Sequence, residues 1–163
     1  MPFTKLLPTS IDLAQNFAFT GSVSGAGGGK LLQTVTEKQS TQVDISSTSY
    51  SNVFSKAITP TLNTSKILVL VSGGRWGMYS SNTYEGYYSV RRDSTEIMHG
   101  LQVIREIGNN IASGTVSVSY LDSPTTSSSV TYSLDAKSTN SSKTVSVCNA
   151  ISPITMTLME IGA

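Results

Sequence analysis

The single histidine and the single cysteine of this 163-residue sequence, His99 and Cys148, are its first candidates for acid–base or nucleophilic chemistry. His99 lies among charged residues between positions 91 and 105, but the sequence has no Gly-x-Ser-x-Gly turn of the kind that presents a nucleophilic serine. No cationic residue adjoins Cys148 to favour its thiolate. We therefore expect His99 at the surface or at an interface, Cys148 buried as a small apolar residue, and no enzymatic activity.

A polysaccharide-cleaving enzyme is an alternative, and it would need two carboxylates about 5 to 9.5 Å apart. Asp93 and Glu96 are the nearest candidates in the sequence. If both stand on one strand, this odd-numbered spacing makes their side chains point to opposite faces. The spacing therefore argues against this pair as a catalytic centre.

The glycine-rich segment GSVSGAGGGKLL invites comparison with a phosphate-binding loop, but its spacing is wrong. Ser24 stands where the first glycine of that loop should be, and Leu31 stands where the Mg²⁺-binding hydroxyl should be. One histidine and one cysteine cannot form a structural zinc site within a single chain, and no calcium-binding loop motif is present. We expect no metal and no cofactor.

Five aromatic residues cluster within thirteen positions: Trp76, Tyr79, Tyr84, Tyr87 and Tyr88. Exposed tryptophan and tyrosine side chains provide stacking surfaces for sugars and contact surfaces for proteins. The same residues are more typical of a β-sandwich core or a subunit interface. We therefore favour that interpretation and keep a ligand site as the alternative.

The composition excludes several classes of protein. Only 13% of residues are charged and the net charge is +1, so the chain lacks the clustered cations that a general nucleic-acid binder needs. No apolar run is long enough to span a membrane. Serine and threonine number 28 and 20, and such hydroxyl-rich, charge-poor surfaces are common in extracellular and virion-surface proteins.

The elements that must position these residues are predicted to be strands. Apolar residues alternate with Ser or Thr in 116–120, 130–134, 145–147 and 154–158, which indicates half-buried antiparallel strands. The run KILVLVSG from Lys66 is apolar without alternation, which predicts a central strand covered on both faces. Clusters of turn-forming residues separate roughly eight to ten strands; they lie at 59–65, 72–74, 108–110, 122–128 and 137–143. A sandwich, jelly roll or barrel is expected.

Residues 1–30 differ from the rest, and we predict that they form an arm and a glycine-rich linker ahead of a β-domain at 31–163. The arm has seven large apolar residues: Phe3, Leu6, Leu7, Ile11, Leu13, Phe17 and Phe19. Because a segment this short buries little apolar surface alone, we expect it to pack against another chain.

Several segments together resemble a domain common in tailed-phage virion proteins, often described as tail-fibre or fibre-like. They are FAFTGSVSGAGG, TPTLNTSKILVLVSGG, SVRRDSTEI, SGTVSVSYLDSPTTSSSVTYSLDAK and ITMTLMEIGA, and the resemblance covers about residues 15–163. The resemblance implies a jelly-roll-like antiparallel β-sandwich, a homotrimer and a place on the virion exterior.

Only about fourteen residues precede the resembling region, which is too few for a fibre shaft. Our leading hypothesis is therefore a trimeric capsid decoration protein, of the cement or head-fibre type, whose arm binds the major capsid protein or another virion protein. The alternative is a tail-fibre tip or receptor-binding module that recognises a host-surface glycan through the aromatic cluster. Neither hypothesis includes a nucleic-acid or membrane partner.

Overall fold

The computed structural model describes residues 29–78, 84–106 and 112–162. In this part of the chain there are ten β-strands and no helix. In chain order the strands are β1 (Leu31–Gln39), β2 (Val43–Ile45), β3 (Ser51–Ile58), β4 (Lys66–Met78), β5 (Tyr84–Arg92), β6 (Thr95–Glu106), β7 (Ala112–Asp122), β8 (Val130–Ser138), β9 (Val145–Val147) and β10 (Ile154–Ile161).

Sheet 1 is built around the long strand β4. One edge of β4 pairs with β7, and the other pairs first with β10 and then, beyond Gly73, with β9. Strand β1 pairs with β10, and β2 pairs with β9. Thus β1 and β2 form one interrupted ribbon, β9 and β10 form another, and sheet 1 has four ribbons in all.

Sheet 2 has four antiparallel strands in the order β3-β8-β5-β6. Successive ribbons cross from one sheet to the other, except for β5 and β6, which form a hairpin within sheet 2. Eight ribbons in two four-stranded layers with this order are a jelly roll. The predicted all-β jelly-roll sandwich is confirmed.

Alternating side chains of both sheets form the core between the layers. In β8 and β10 every second residue is buried, as the Ser/Thr alternation predicts. Strand β4 is central, but it is not covered on both faces. Val69 and Val71 are fully buried in the core, whereas Leu68 and Leu70 remain partly exposed on the outer face of sheet 1. The prediction of two covered faces was therefore wrong for the single chain.

The predicted turn at 72–74 is a bulge within β4, because the ladder continues on both sides of it. Gly73 and Gly74 have φ of +95° and +70°, which lets the strand bend without stopping. A Cβ atom on Gly73 would lie 2.7 Å from the carbonyl oxygen of Pro153. Residues 148–153 loop out opposite this bulge and separate β9 from β10.

The strand directions define two ends of the sandwich. The Gly29 end has Gly29, the 59–65 loop, the β5–β6 turn, the 123–129 loop and Gly162. The Cys148 end has the 40–42 and 46–50 segments, the 139–144 turn and the 148–153 loop.

Candidate functional site

The aromatic cluster is dispersed by the fold. Trp76 is fully buried and Tyr88 is 8% exposed, and their ring centroids lie 6.0 Å apart at 55° in the core. Neither ring has a face free for a ligand, so both are core residues and not part of a surface site. Tyr87 is half-buried on the outer face of sheet 2. Tyr79 and the side chain of Tyr84 lie outside the described residues.

His99 and Cys148 lie where the sequence analysis expected them. The His99 side chain is 84% exposed on β6, and its Nδ1 lies 3.4 Å from Oε1 of Glu96. Cys148 is buried, its thiol donates to the carbonyl oxygen of Thr41 at 3.0 Å, and burial raises the pKa of the thiol. A thiol that burial keeps protonated is a poor nucleophile.

The two carboxylates considered for catalysis are engaged in structural contacts. Asp93 Oδ1 accepts a hydrogen bond from the amide of Thr131 at 2.9 Å. Glu96 Oε2 lies 3.8 Å from the Arg91 guanidinium. Each carboxylate thus contacts a residue on a neighbouring strand.

The arm residues Phe3, Leu6, Leu7, Ile11, Leu13, Phe17 and Phe19 lie outside the described residues. Within the described ranges, no group of three or more His, Cys, Asp or Glu side chains could hold a metal ion. The search for membrane-spanning helices, confined to the same ranges, found none.

The most distinctive surface is the outer face of sheet 1 at the Gly29 end. Met159 on β10 and Leu121 on β7 stand opposite Leu68 on β4, and such partners share a face. Leu121 is 50% exposed and Leu31 is 47% exposed, whereas the other members are half-buried. We call this surface the apolar patch; its members are Leu31, Leu68, Leu70, Leu121, Met159 and Ile161.

A depression of about 290 Å³ lies at the rim of the apolar patch. It is lined by Gly29, Lys66, Leu121, Ile161 and Gly162. Among these described residues Lys66 carries the one charge. Gly29, where the described chain begins, therefore stands directly at the concave part of the patch.

Beneath the patch, Glu160 is a fully buried carboxylate that needs strong partners. It accepts hydrogen bonds from Gln33 Nε2 at 2.6 Å and from the amide and hydroxyl of Thr61 at 2.7 and 3.0 Å. Burial alone would raise the pKa of Glu160, but these hydrogen bonds lower it to about 2. Glu160 thereby fastens the 59–65 loop to β10.

A second buried carboxylate, Asp122, joins the two sheets at the same end. Its two oxygens lie 2.9 and 2.8 Å from Nη1 of Arg92 on β5. The hydroxyl of Tyr132 on β8 donates to Asp122 at 2.7 Å, and burial together with this bond raises the pKa of Tyr132. These contacts therefore link the strands beneath the apolar patch to sheet 2.

The outer face of sheet 2 is polar by contrast. Lys137 Nζ lies 4.6 Å from the ring centroid of Tyr50 and 5.7 Å from that of Tyr87. Asp135 on the same face contacts Asn52 and Arg91. These side chains form a second candidate surface, where a cation is held between two aromatic rings.

Sequence reasoning missed both surfaces. The signal for the apolar patch was present in the unalternating run from Lys66, because only one face of a sandwich sheet is covered by its partner sheet. No local pattern singles out Tyr50 or Lys137, since the fold brings them together from distant parts of the chain.

Comparisons with known proteins find no matching family model and no matching curated protein. Among solved structures, a chain of the T13 infectious bursal disease virus (IBDV) viral particle is 10% identical with a TM-score of 0.43, covering 93% of this chain and 41% of that one. A chain of the IBDV VP2 subviral particle is 12% identical with a TM-score of 0.42, covering 96% of this chain and 46% of that one. This chain thus spans less than half the length of the viral particle chains that it resembles.

Proposed function

We propose that this chain is a non-enzymatic structural protein of a virion, located on the particle exterior, where it decorates and reinforces the capsid as a homotrimer. The arm, with its apolar residues between Phe3 and Phe19, binds the major capsid protein or another virion protein. The β-domain forms the outward head. The resemblance to phage fibre-like domains supports this proposal, as does the jelly-roll fold of the head.

The observation that carries the proposal is the apolar patch beside Gly29. A contiguous apolar patch of a few hundred Å² on a folded domain often marks a contact with another protein segment. The patch borders Gly29, to which the arm is joined, so a protein that binds the arm would lie next to the patch. Repeated weak contacts on a capsid lattice add up through multivalency.

Immunogold labelling of intact particles that contain this protein tests the location. Label spread over the head is expected. Label confined to the tail or its fibres contradicts capsid decoration and supports the receptor-binding alternative. Unlabelled particles contradict both.

A variant with Phe3→Ser, Leu6→Ser, Leu7→Ser and Ile11→Ser in the full chain tests the anchor. The variant should lose binding to undecorated particles yet sediment as a trimer, because none of the substituted residues belongs to strands β1 to β10. A control with Ser141→Ala and Ser142→Ala, at exposed positions of the 139–144 turn at the Cys148 end, should bind normally. Unchanged binding of the arm variant would rule out the arm as anchor.

Recognition of a host-surface glycan is the second candidate function, and the Tyr50–Lys137–Tyr87 arrangement is the observation that favours it. Aromatic faces beside a cation and carboxylates can stack on and hydrogen-bond to a sugar. Purified protein should then block adsorption of the virus to its host, and Tyr50→Ala should remove this effect. Tyr120→Phe, on sheet 1, is the control.

A further inference from the structure

The occupant of the apolar patch can be inferred from the size of the patch. Neighbouring strands lie about 4.8 Å apart, so a surface four strands wide and two to three residue rows long covers roughly 300 Å². A stable contact between two folded heads buries about 800 Å² on each partner. The patch is too small for such a contact, but its size suits a short segment with a few large apolar side chains.

The shape of the surface favours the same kind of occupant. The depression at its rim has a volume of about 290 Å³, and Leu121 and Ile161 form its apolar walls. A concave site accepts protruding side chains, whereas a flat sheet face would suit another sheet. Gly29 and Gly162 border the depression without side chains of their own.

The nearest apolar segment in the sequence is Asn16-Phe17-Ala18-Phe19. Phe17 and Phe19 are two positions apart, so extended backbone places both rings on one side. Residues 20–28 connect Phe19 to Gly29 and are rich in glycine and serine. A chain of that length and composition spans about 17 Å on average, which matches the width of the patch.

We propose that Phe17 and Phe19 bind the apolar patch of their own chain and fill the depression beside Gly29. The short connection gives these rings an effective concentration in the millimolar range at the patch, which a segment from another molecule does not reach in dilute solution. This contact takes Phe17 and Phe19 out of the anchor proposed above and leaves the more distant apolar residues, from Phe3 to Leu13, to bind a partner protein. The contact can be tested on the isolated chain, so it can fail while the anchoring role of Phe3 to Leu13 stands.

Cysteine cross-linking in the full-length chain tests this contact. One variant has Phe19→Cys with Leu121→Cys, and the matched control has Phe3→Cys with Leu121→Cys. Connection length alone makes the first pair react roughly fourfold faster than the second. Docking should raise this ratio to roughly tenfold or more, with the disulfide formed within one chain. The buried native Cys148 is common to both variants.

Three outcomes would overturn the proposal. A ratio near fourfold means that Phe19 does not dock. A Phe19–Leu121 cross-link between two chains means that the segment is exchanged between copies. A Leu121–Leu121 cross-link between chains means that the patch is covered by a second head.

A dye-binding measurement keeps the inference testable if a cysteine variant fails to fold. Phe17→Ser with Phe19→Ser changes residues that belong to none of strands β1 to β10 and should raise the fluorescence of a bound anilinonaphthalene dye severalfold. The control, Phe3→Ser with Leu6→Ser, should not. Adding Leu121→Ser to the first variant should reverse the increase, and equal fluorescence in all variants contradicts docking.

Discussion

At the Gly29 end of the sandwich, side chains tie the elements together: Glu160 binds the 59–65 loop, and Asp122 joins Arg92 and Tyr132 across the two sheets. At the Cys148 end, backbone geometry and uncharged side chains have this role. A glycine bulge in β4 faces the looped-out residues 148–153, and the amide of Gly74 donates to the carbonyl oxygen of Pro153 at 2.9 Å.

This difference follows from what each end exposes. The Gly29 end has an apolar exterior, and two buried carboxylates behind it bind the 59–65 loop and sheet 2. At the Cys148 end, β4 changes its pairing partner from β10 to β9. The bulge in β4 allows this change without charged groups. Substitutions of charged side chains should therefore be costly at the first end, and backbone-restricting substitutions at the second.

The largest effect is expected for Asp122→Ala. The change leaves the partly buried Arg92 guanidinium and the buried Tyr132 hydroxyl without their shared acceptor, so stability should fall by about 3–5 kcal/mol. Denaturant unfolding measures this loss. Glu37→Ala, which breaks the more exposed ion pair with Lys56, is the control and should cost less than about 1 kcal/mol. Equal losses of stability in the two variants would mean that the buried carboxylate at the Gly29 end contributes no more than an exposed ion pair.

Gly73→Ala tests the Cys148 end and should cost about 2–3 kcal/mol. The residue has φ of +95°, and the new Cβ atom would lie 2.7 Å from the carbonyl oxygen of Pro153. Thermal unfolding of the variant measures the cost. Gly29→Ala is a useful control, because its φ of +93° is similar but its nearest neighbour, an Ile161 methyl group, is 4.0 Å away. If both variants lose the same stability, the positive φ alone, and not the close approach to Pro153, explains the cost.

These two sites also explain how far the sequence could predict the fold. Alternation of Val with Ser or Thr is a local signal, so the strands and the inner face could be predicted. The bulge at Gly73 could not, because Ser-Gly-Gly also occurs in turns and only pairing with two successive partners keeps β4 continuous. Glu160 stands at a position of β10 whose side chain points into the core. A carboxylate is stable there because Gln33 and Thr61, from distant segments, donate hydrogen bonds to it.

Glu160→Gln should cost about 2 kcal/mol at neutral pH, because the amide group turns one acceptor into a donor facing other donors. The variant should also respond less to acid. The pKa of Glu160 in the fold is about 2, against 4.5 ordinarily, so its ionised form stabilises the fold above about pH 4.5. That contribution is lost as the pH falls from 4.5 towards 2. Urea unfolding of both proteins between pH 6 and pH 2 measures the difference, and parallel curves would contradict the assignment.

Cys148→Ser should have the smallest effect, within about 1 kcal/mol, although the residue is buried and has φ of +52°. The serine hydroxyl can donate to the carbonyl oxygen of Thr41 as the thiol does, and the backbone that shapes this end is unchanged. Thermal unfolding of the two proteins provides the measurement. A loss of stability as large as that of Asp122→Ala would mean that the Cys148 end also depends strongly on one side chain. The proposed difference between the two ends of the sandwich would then be wrong.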